Sequence, residues 1–470
     1  MNTAADKHTP LTPITAPWVH EIVRNKKLLN EAIARHHSPI NIHDVRSFEE
    51  NIAGFKSVFQ KYELKHQVFF ARKANKALAF VKSAKRIGAG IDTASFRELD
   101  QVLHEGVPAA QIVLTAAVKN SRLLELAIKN QIPITVDNID ECNLIHETCE
   151  KLNTQAQILV RVSGFEFMGH QMQSRFGFAI DIAKDLISQT LPSLFPRFNY
   201  IGLHFHLNGY SIPQRAEALL QCLVLSDSLR TEGIGTQVID IGGGYLINYL
   251  SSRQEWDLFI AELKSSVLHQ RSAVTYDRDP LGMTILDGRI YGEPTVYPYY
   301  NEVNKAQFLE EILVYKNSDG IPIHQLIHDR SIEIRIEPGR STLDQAGITV
   351  AKVAFRKPDT NGELLIGLEM NRTQLRSSSA DFLSDPIHLS TAAHSEEEEY
   401  YGYLVGAYCL EQEFILKRKI KFNTFPQVGD LILFVNTAGY MMHFYESEAH
   451  LFELATNLVY DADKQHLIED

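Results

Sequence analysis

The sequence predicts an α/β fold in which a (β/α)8 TIM-type barrel is joined to a C-terminal all-β domain. From about residue 45 to 345, short apolar runs alternate with amphipathic helical stretches, and there are eight such runs. Beyond about residue 345 the runs become closely spaced and β-rich, with little helix between them. Because an open parallel sheet also alternates strands with helices, the number of strands favours the barrel more than the alternation does.

The predicted strands of the barrel are short, apolar and bounded by helical or turn-forming stretches. They cover residues 66–71, 88–93, 111–116, 133–138, 157–162, 200–207, 237–244 and 331–339. We divide the chain into an N-terminal segment, 1–45, which contributes a strand to the β-domain, a barrel, 46–345, and the β-domain itself, 346–470. The stretch within 245–335 is far longer than a βα connection needs, so we interpret it as an insertion.

Composition excludes several classes of protein. The 470 residues are enough for two domains, and the net charge of −12 argues against nucleic acid or an anionic membrane as the main partner. We find no apolar run of about 20 residues, as a membrane span would need, and no signal-peptide pattern at the opening. The four cysteines form no CxxC pair, which disfavours a disulfide scaffold or a structural zinc site. We therefore expect a cytoplasmic protein.

The predicted strands end in side chains that can do chemistry. In a (β/α)8 barrel the reactive groups lie at the C-terminal ends of the strands. The first strand leads into Lys73, the second reaches Asp92, the sixth carries His204 and His206, the seventh ends in Gly242, Gly243 and Gly244, and the eighth leads into Glu337 and Arg340. Each motif alone can be a turn or a packing contact, but all of them fall on one rim of the predicted barrel.

This set of groups matches the needs of pyridoxal 5′-phosphate (PLP). An aldehyde cofactor needs a lysine held near neutrality, a role that suits Lys73. A pyridinium electron sink needs a carboxylate against its ring nitrogen, such as Glu337, and its flat ring needs a flat partner, such as His206. A phosphate needs unobstructed backbone N–H groups and a bidentate cation, which the glycine triplet and Arg340 supply.

Eight motifs, in the same order, carry a resemblance to a known family. They are ARKAN, GIDTASFREL, SRFGF, GLHFHLNG, DIGGGY, EPGRS, VGAYC and NTAGYM. From about residue 40 to 460 the chain resembles the fold-type III PLP-dependent decarboxylases, the group of diaminopimelate, ornithine and arginine decarboxylases, as a divergent member. The resemblance implies an alanine racemase-like barrel with a β-domain, and a homodimer whose active sites are shared between the subunits.

The resemblance also implies roles for individual residues. Lys73 would bind the cofactor covalently, and the partner subunit's Cys409 would protonate the carbanion left when CO2 departs. The residues implied around the cofactor are Asp92 and Arg161 near the lysine and the ring, His206 stacked on the ring, Glu337 at the ring nitrogen, and Gly242, Gly243, Gly244, Arg340 and Tyr440 at the phosphate. No metal site is implied. The implied reaction is decarboxylation of a diaminopimelate-like or related α-amino acid to the amine and CO2.

The chain departs from the family pattern where substrate is recognised. Leu410 follows Cys409 at a position where the family has an acidic residue, so Glu411 is the nearest acid for a substrate's distal ammonium group. The stretch LEMNRTQLRSSSADF resembles part of the diaminopimelate enzymes and indicates Arg376 as a substrate ligand, although the proline and tyrosine of that pattern are absent. HLNG also replaces the family's usual HxGS.

Three other functions fit parts of the sequence. An amino-acid racemase on the same fold would place an arginine at the ring nitrogen, whereas Glu337 and Cys409 favour decarboxylation. A non-catalytic PLP-binding protein would lack the β-domain and its cysteine. A metal-dependent barrel hydrolase could be built on His204 and His206, but it would need further ligands at the strand ends.

Overall fold

The computed structural model describes residues 8–377, 382–390 and 399–470 of the chain. These residues form two compact units. The barrel unit comprises residues 49–246 and 303–342, and the β-unit comprises 8–48, 247–302 and the described part of 343–470. The division drawn from the sequence at residues 45 and 345 keeps 247–302 with the barrel, whereas in the structure this stretch packs with the β-unit.

The barrel unit contains a closed ring of eight parallel strands within the described residues. Each strand pairs in parallel with the next one along the chain, and the eighth pairs with the first. The prediction of a (β/α)8 barrel is therefore confirmed, and the open sheet is excluded. The strands are His66–Ala71, Gly90–Thr93, Ile112–Leu114, Ile134–Val136, Ala156–Ser163, Phe198–His204, Val238–Asp240 and Glu333–Ile336.

The barrel strands are apolar along much of their length because parallel strands in such a fold are covered on both faces. Every residue of Gly90–Thr93, Ile112–Leu114 and Ile134–Val136 is buried. Gly90 is needed for this packing, since a Cβ there would lie 2.4 Å from the ring of Phe69 on the neighbouring strand.

Helices connect the strands of the barrel unit, and several begin at a side-chain cap. Ser95, Asn120, Asn138 and Ser211 each accept a hydrogen bond from the backbone N–H three residues further on. The helices after the first strand are Leu78–Arg86, Phe96–His104, Ser121–Lys129, Ile139–Leu152, Ile180–Asp185, Leu191–Leu194, Ile212–Thr231, Lys305–Val314 and Ile323–Arg330, and Val45–Lys61 precedes that strand. The short elements are the turns Arg72–Ala74, Ala109–Gln111 and Leu186–Thr190 and the strands Glu166–Phe167, His170–Gln171 and Phe178–Ala179.

A buried ion pair stabilises the barrel unit between the loop that precedes Ser121–Lys129 and the helix Ile139–Leu152. Lys119 Nζ donates to Glu141 Oε1 at 2.7 Å and to the carbonyl of Ala116 at 2.8 Å, and the two side chains are 1% and 6% exposed. Burial lowers the pKa of Lys119 and raises the pKa of Glu141, while the charge of each partner opposes the shift of the other. Removing one partner would leave a buried charge without its counter-ion.

Glu141→Gln is therefore expected to lower the free energy of unfolding by about 3–5 kcal/mol, measured by urea titration. The glutamine keeps the volume and an oxygen for the N–H of Asp137, but its NH2 group then faces Lys119, so the charge and the acceptor of Lys119 are both lost. The double variant Lys119→Met/Glu141→Leu should lie much closer to wild type, because neither charge is then left unpaired. Glu125→Gln, which breaks the surface ion pairs of Glu125 with Lys151 and Lys129, is the control and should change the unfolding free energy very little. A loss no larger than that of the control would contradict this account.

The β-unit is built on one nine-stranded sheet among the described residues. Ile40–His43 lies inside this sheet, antiparallel to Gly347–Pro358 and parallel to Thr456–Asp461. The remaining strands of the sheet are Leu364–Leu368, Ile387–Leu389, Tyr400–Val405, Phe414–Phe422, Leu431–Val435 and His466–Glu469. The all-β C-terminal domain predicted from the sequence is thus present, and a strand from the N-terminal segment is part of its sheet.

Helices and turns complete the β-unit. The helices are Pro17–Arg24, Lys26–His36 and Arg253–Val267, the hairpin is Thr284–Leu286 with Arg289–Tyr291, and the turns are Tyr276–Arg278, Arg372–Leu375 and Ala449–Leu451. The core includes Trp18 and Ile22 from the first helix, packed against Ile42 and Leu458 of the sheet. Within the described ranges, no helix has the length and apolar character needed to cross a membrane.

Candidate active site

Two adjacent cations, Arg72 and Lys73, follow the first barrel strand, and only Lys73 is accessible at the rim. After Ala71 the chain forms the turn Arg72–Ala74. The guanidinium of Arg72 is buried and donates to main-chain carbonyls of the following residues as far as Ala77, so it holds the turn together. The side chain of Lys73 is 37% exposed, and its Nζ donates to Asp92 Oδ2 at 3.2 Å. The fold thus presents Lys73, and not Arg72, as the accessible group.

Asp92 anchors the lysine from the second barrel strand. Its side chain is fully buried and also accepts a hydrogen bond from the hydroxyl of Thr115. Burial raises the pKa of Asp92, the charge of Lys73 opposes the rise, and nearby Glu337 adds to it. Asp92 therefore fixes the position of the Lys73 amine at the barrel mouth.

His204, Asp240 and Glu337 form a buried group at the ends of the sixth, seventh and eighth strands. Their ligand atoms lie within 4.8 Å of one another, and His204 Nε2 is 3.3 Å from Glu337 Oε1. Burial lifts the pKa of Asp240 well above its usual range and raises the pKa of Glu337, and it holds the pKa of His204 well below the usual range. Among the described residues, both ring nitrogens of His204, Asp240 Oδ2 and Glu337 Oε1 have no hydrogen-bond partner. These are buried polar atoms that a bound molecule can satisfy.

The glycine triplet after the seventh strand leaves no room for side chains. Gly242 has φ +67°, and a Cβ on it would lie 2.6 Å from His206 Nδ1. A Cβ on Gly243 would lie 2.4 Å from the carbonyl oxygen of Glu337, and one on Gly244, at φ +89°, would lie 2.3 Å from a guanidinium nitrogen. Glycine is therefore required at all three positions, because the backbone there packs directly against neighbouring protein atoms.

His206 is held as a neutral ring. The N–H of Gly243 donates to His206 Nδ1 at 3.1 Å, so the proton of the neutral ring lies on Nε2. Burial first, and then the charge of Lys73, keep the pKa of His206 well below its usual range. A fixed neutral imidazole at the rim suits stacking on a flat ligand.

Arg161 lies near the end of the fifth strand, next in the chain to residues that line a cavity. Its guanidinium lies 4.1 Å from the ring centre of Phe176, which Arg175 also contacts at 3.8 Å, and Arg161 Nη1 is 3.8 Å from Asp137 Oδ1. Burial lowers the pKa of Arg161, and Asp137 and the carboxyls of the rim oppose the shift. The cavity has a volume of about 410 Å³ and is lined by residues 162–165, 172–176 and 206–208.

The eighth strand leads into Glu337-Pro338-Gly339-Arg340, which joins three strand ends. The N–H of Ala71 donates to the carbonyl of Pro338 at 3.3 Å, and the N–H of Glu337 donates to the carbonyl of Gly242 at 3.0 Å. Arg340 is only 9% exposed. The predicted lysine, glycine and Glu-Pro-Gly-Arg motifs are therefore neighbours in the barrel.

The other predicted site residues lie in the β-unit. Cys409 is a free, exposed cysteine in the turn between the strands Tyr400–Val405 and Phe414–Phe422. Leu410 beside it is 51% exposed, and Glu411 is exposed as well. The turn therefore presents a thiol, an apolar side chain and a carboxylate to its surroundings.

Two further loops of the β-unit contact this turn or each other. The N–H of Arg376 donates to the carbonyl of Met441 at 3.0 Å, directly after Tyr440. The hydroxyl of Tyr408 donates to the carbonyl of Ser447 at 3.2 Å. The loops that carry Arg376, Cys409 and Tyr440 are thus brought together within the β-unit. Residues 378–381 of the LEMNRTQLRSSSADF stretch lie outside the described residues.

The barrel rim fits PLP in two respects. Glu337 Oε1 is a buried acceptor that receives no hydrogen bond among the described residues, although His204 Nε2 lies 3.3 Å away, and a protonated ring nitrogen needs such an acceptor. The side chain of Lys73 is 37% exposed on the same rim, as covalent attachment of an aldehyde cofactor needs. The glycine triplet carries no side chain that could obstruct a phosphate, although the N–H groups of Gly242 and Gly243 already donate to acceptors within the protein. The roles of the individual residues stay predictions.

One sequence interpretation is corrected here, and two residues were missed. The predicted strand 200–207 includes both His204 and His206, but the observed strand ends at His204, so His206 lies beyond it and the two rings have different neighbours. Asp240 is one of the missed residues, and it lies two residues before the glycine triplet. Arg215, whose nitrogen contacts Gly244, lies on a helix where no motif marks it.

Comparison with known proteins places these features in context. Residues 45–291 match a family model described as "Pyridoxal-dependent decarboxylase, pyridoxal binding domain". The chain is 30% identical over 428 residues to the uncharacterized protein y4yA of Sinorhizobium fredii, covering 90% of this chain and 88% of that one. It is 28% identical over 345 residues to the diaminopimelate decarboxylase of Bacillus methanolicus, covering 70% of this chain and 67% of that one.

Solved structures share the same architecture. The diaminopimelate decarboxylase of Helicobacter pylori complexed with L-lysine aligns with a TM-score of 0.69 at 18% identity, covering 94% of this chain and 96% of that one. The lysine decarboxylase of Selenomonas ruminantium aligns with a TM-score of 0.68 at 18% identity, covering 93% and 96%. At this level of identity the likeness shows the fold, a barrel joined to a β-domain.

Proposed function

Because the chain belongs to the fold-type III pyridoxal-dependent decarboxylases, we propose that it removes CO2 from a diaminopimelate-like or related α-amino acid and releases the amine. Family membership makes the chain a PLP-dependent amino-acid carboxy-lyase, and PLP is its cofactor. The racemase and the non-catalytic PLP-binding protein are therefore set aside. The observation that best supports the residue roles is Lys73, held 3.2 Å from buried Asp92 on the rim that carries Glu337.

Each group of the rim has a distinct task in this proposal. When bound, PLP supplies an electron sink for the negative charge that remains on the α-carbon after CO2 departs. Lys73 would hold the cofactor, and Asp92 would orient the lysine. Glu337 would accept a hydrogen bond at Oε1 from a protonated ring nitrogen, which favours the carboxylate form of Glu337. His206 would cover the flat face of the ring without taking its proton, because Gly243 and burial keep the imidazole neutral.

A proton must be delivered to the α-carbon after CO2 leaves. We assign this task to the thiol of Cys409, which is free and exposed on its turn. In the proposed homodimer, the partner's Cys409 would serve the Lys73 of the first subunit, so a two-fold axis would build two equivalent sites. Arg161, Arg340, the glycine triplet and Tyr440 would surround the cofactor, as the family pattern implies.

The substrate class is proposed from two side chains of the β-unit. Leu410 is 51% exposed at the position where the family has an acid, so a distal ammonium group placed there would lack a partner. Leaving a polar group of this kind unpaired costs roughly 1–3 kcal/mol or more. Arg376 offers a guanidinium, which binds a carboxylate by two parallel hydrogen bonds. We therefore expect the far end of the substrate to carry a carboxylate.

Release of CO2 across a panel of D- and L-amino acids tests this proposal. The wild type should prefer a substrate with a distal carboxylate over ornithine and lysine by about tenfold or more in kcat/KM. Leu410→Asp should raise kcat/KM for ornithine and lysine, whereas Leu410→Asn, of similar shape but uncharged, should raise it less. Efficient decarboxylation of ornithine by the wild type, with Glu411→Ala harmless, would contradict the substrate class.

The metal-dependent hydrolase is tested in the same preparation. His204, Asp240 and Glu337 offer one nitrogen and two carboxylates, a donor set that a metal ion can use. The PLP assignment instead leaves Glu337 for the ring nitrogen. We expect a visible absorbance band and no stoichiometric metal. Stoichiometric metal without such a band would favour the hydrolase.

A further inference from the structure

Arg215 is a buried cation in an unusual place. It lies in the first turn of the helix Ile212–Thr231 and is 2% exposed. The N-terminal end of a helix carries partial positive charge, so a cation there is unfavourable unless an anion lies nearby. A buried charge likewise needs a partner of opposite charge.

The described residues give Arg215 hydrogen bonds but no carboxylate. Its Nη2 donates to the carbonyls of Leu207 at 3.3 Å and Gly209 at 2.8 Å, while Nε and Nη1 have no hydrogen-bond partner among the described residues. Burial lowers the pKa of Arg215, and the groups that oppose this are the phenols of Tyr245 and Tyr210. Among the residues that the structure describes, the guanidinium is thus partly unsatisfied and has no counter-ion.

The unsatisfied guanidinium lies against the proposed cofactor loop. A Cβ on Gly244, the last residue of the triplet, would lie 2.3 Å from Arg215 Nη2. Its charge also acts on His206, on the same rim. The carbonyls that Arg215 holds belong to HLNG, the stretch that departs from the family's HxGS.

We propose that Arg215 binds the phosphate of PLP through its guanidinium, as a second cation in addition to Arg340. The phosphate would supply the counter-ion that the described residues do not. Arg215 would then both position the HLNG stretch and neutralise the anionic end of the cofactor. This inference rests on PLP being the cofactor, and it concerns affinity, not the identity of the substrate.

The test compares apoprotein affinity for PLP and for pyridoxal, which lacks the phosphate. Arg215→Met should weaken PLP binding by about tenfold or more, equal to about 1.4 kcal/mol, and should leave the affinity for pyridoxal nearly unchanged. Arg215→Gln keeps an amide that can reach the same carbonyls, and it should give the same selective loss if Arg215→Met fails to fold. Arg215→Lys should recover part of the PLP affinity.

Arg330→Met is the matched control. Arg330 is also a largely buried arginine of the barrel unit, but Asp227 pairs with it at 2.6 Å. Its loss should lower the thermal stability without changing the ratio of the two affinities. If Arg215→Met weakens the binding of PLP and of pyridoxal equally, or weakens the binding of neither, the inference is wrong. Arg215 would then only support the loop. If the wild type binds no PLP, the cofactor assignment itself fails.

Discussion

Lys73→Ala is expected to abolish the covalent attachment of PLP and to lower kcat by on the order of 10³-fold or more. Lys73 Nζ lies 3.2 Å from buried Asp92, and its side chain is 37% exposed at the barrel mouth. Arg72 cannot replace it, because its guanidinium stays protonated and is held by main-chain carbonyls. PLP can still bind noncovalently to Lys73→Ala through its phosphate and ring. The variant is therefore expected to lose the covalent bond to PLP without necessarily losing the bound cofactor.

The measurement combines absorbance with peptide mapping. Purified wild-type protein should show a visible band that disappears on borohydride treatment, with the reduced cofactor on the peptide that contains Lys73. Lys76→Ala changes an exposed lysine just after the same turn and should keep both the band and the activity. Reduced cofactor on another lysine, or a band that persists in Lys73→Ala, would overturn the assignment.

Mixing Lys73→Ala with Cys409→Ala subunits is expected to restore about a quarter of wild-type activity, from two proteins that are each nearly inactive. Lys73 belongs to the barrel unit and Cys409 to the β-unit. If each site combines Lys73 of one subunit with the partner's Cys409, every heterodimer has one intact site and one site with both lesions. Random pairing gives about half heterodimers, so about a quarter of all sites are intact.

The control pairs two lesions within the barrel unit. Lys73→Ala mixed with Glu337→Ala should give no recovery, because both residues serve the same site from one chain. Subunit exchange is confirmed separately with a tagged subunit. No recovery from the Cys409 mixture despite proven exchange would remove the partner's Cys409 from the shared site.

The sequence by itself determined the barrel and most of its reactive rim. Strand and helix periodicities are local, so eight apolar runs and their helices can be recognised without contacts. Parallel barrel strands then force their C-terminal ends onto one rim, which brought Lys73, Asp92 and Glu337 to the same edge. The same reasoning explains why the Glu-Pro-Gly-Arg motif meets the first strand, as the hydrogen bond from Ala71 to Pro338 shows.

Only the tertiary structure decided which groups become partners. His204 joins Asp240 and Glu337, while His206 binds the N–H of Gly243, because the sixth strand ends between the two rings. Arg215 reaches Gly244 from a helix, and residues 247–302 pack with the β-unit. These outcomes depend on contacts between segments that are far apart in the chain. A local pattern of residues does not determine at which residue a strand ends or in which direction a buried side chain points.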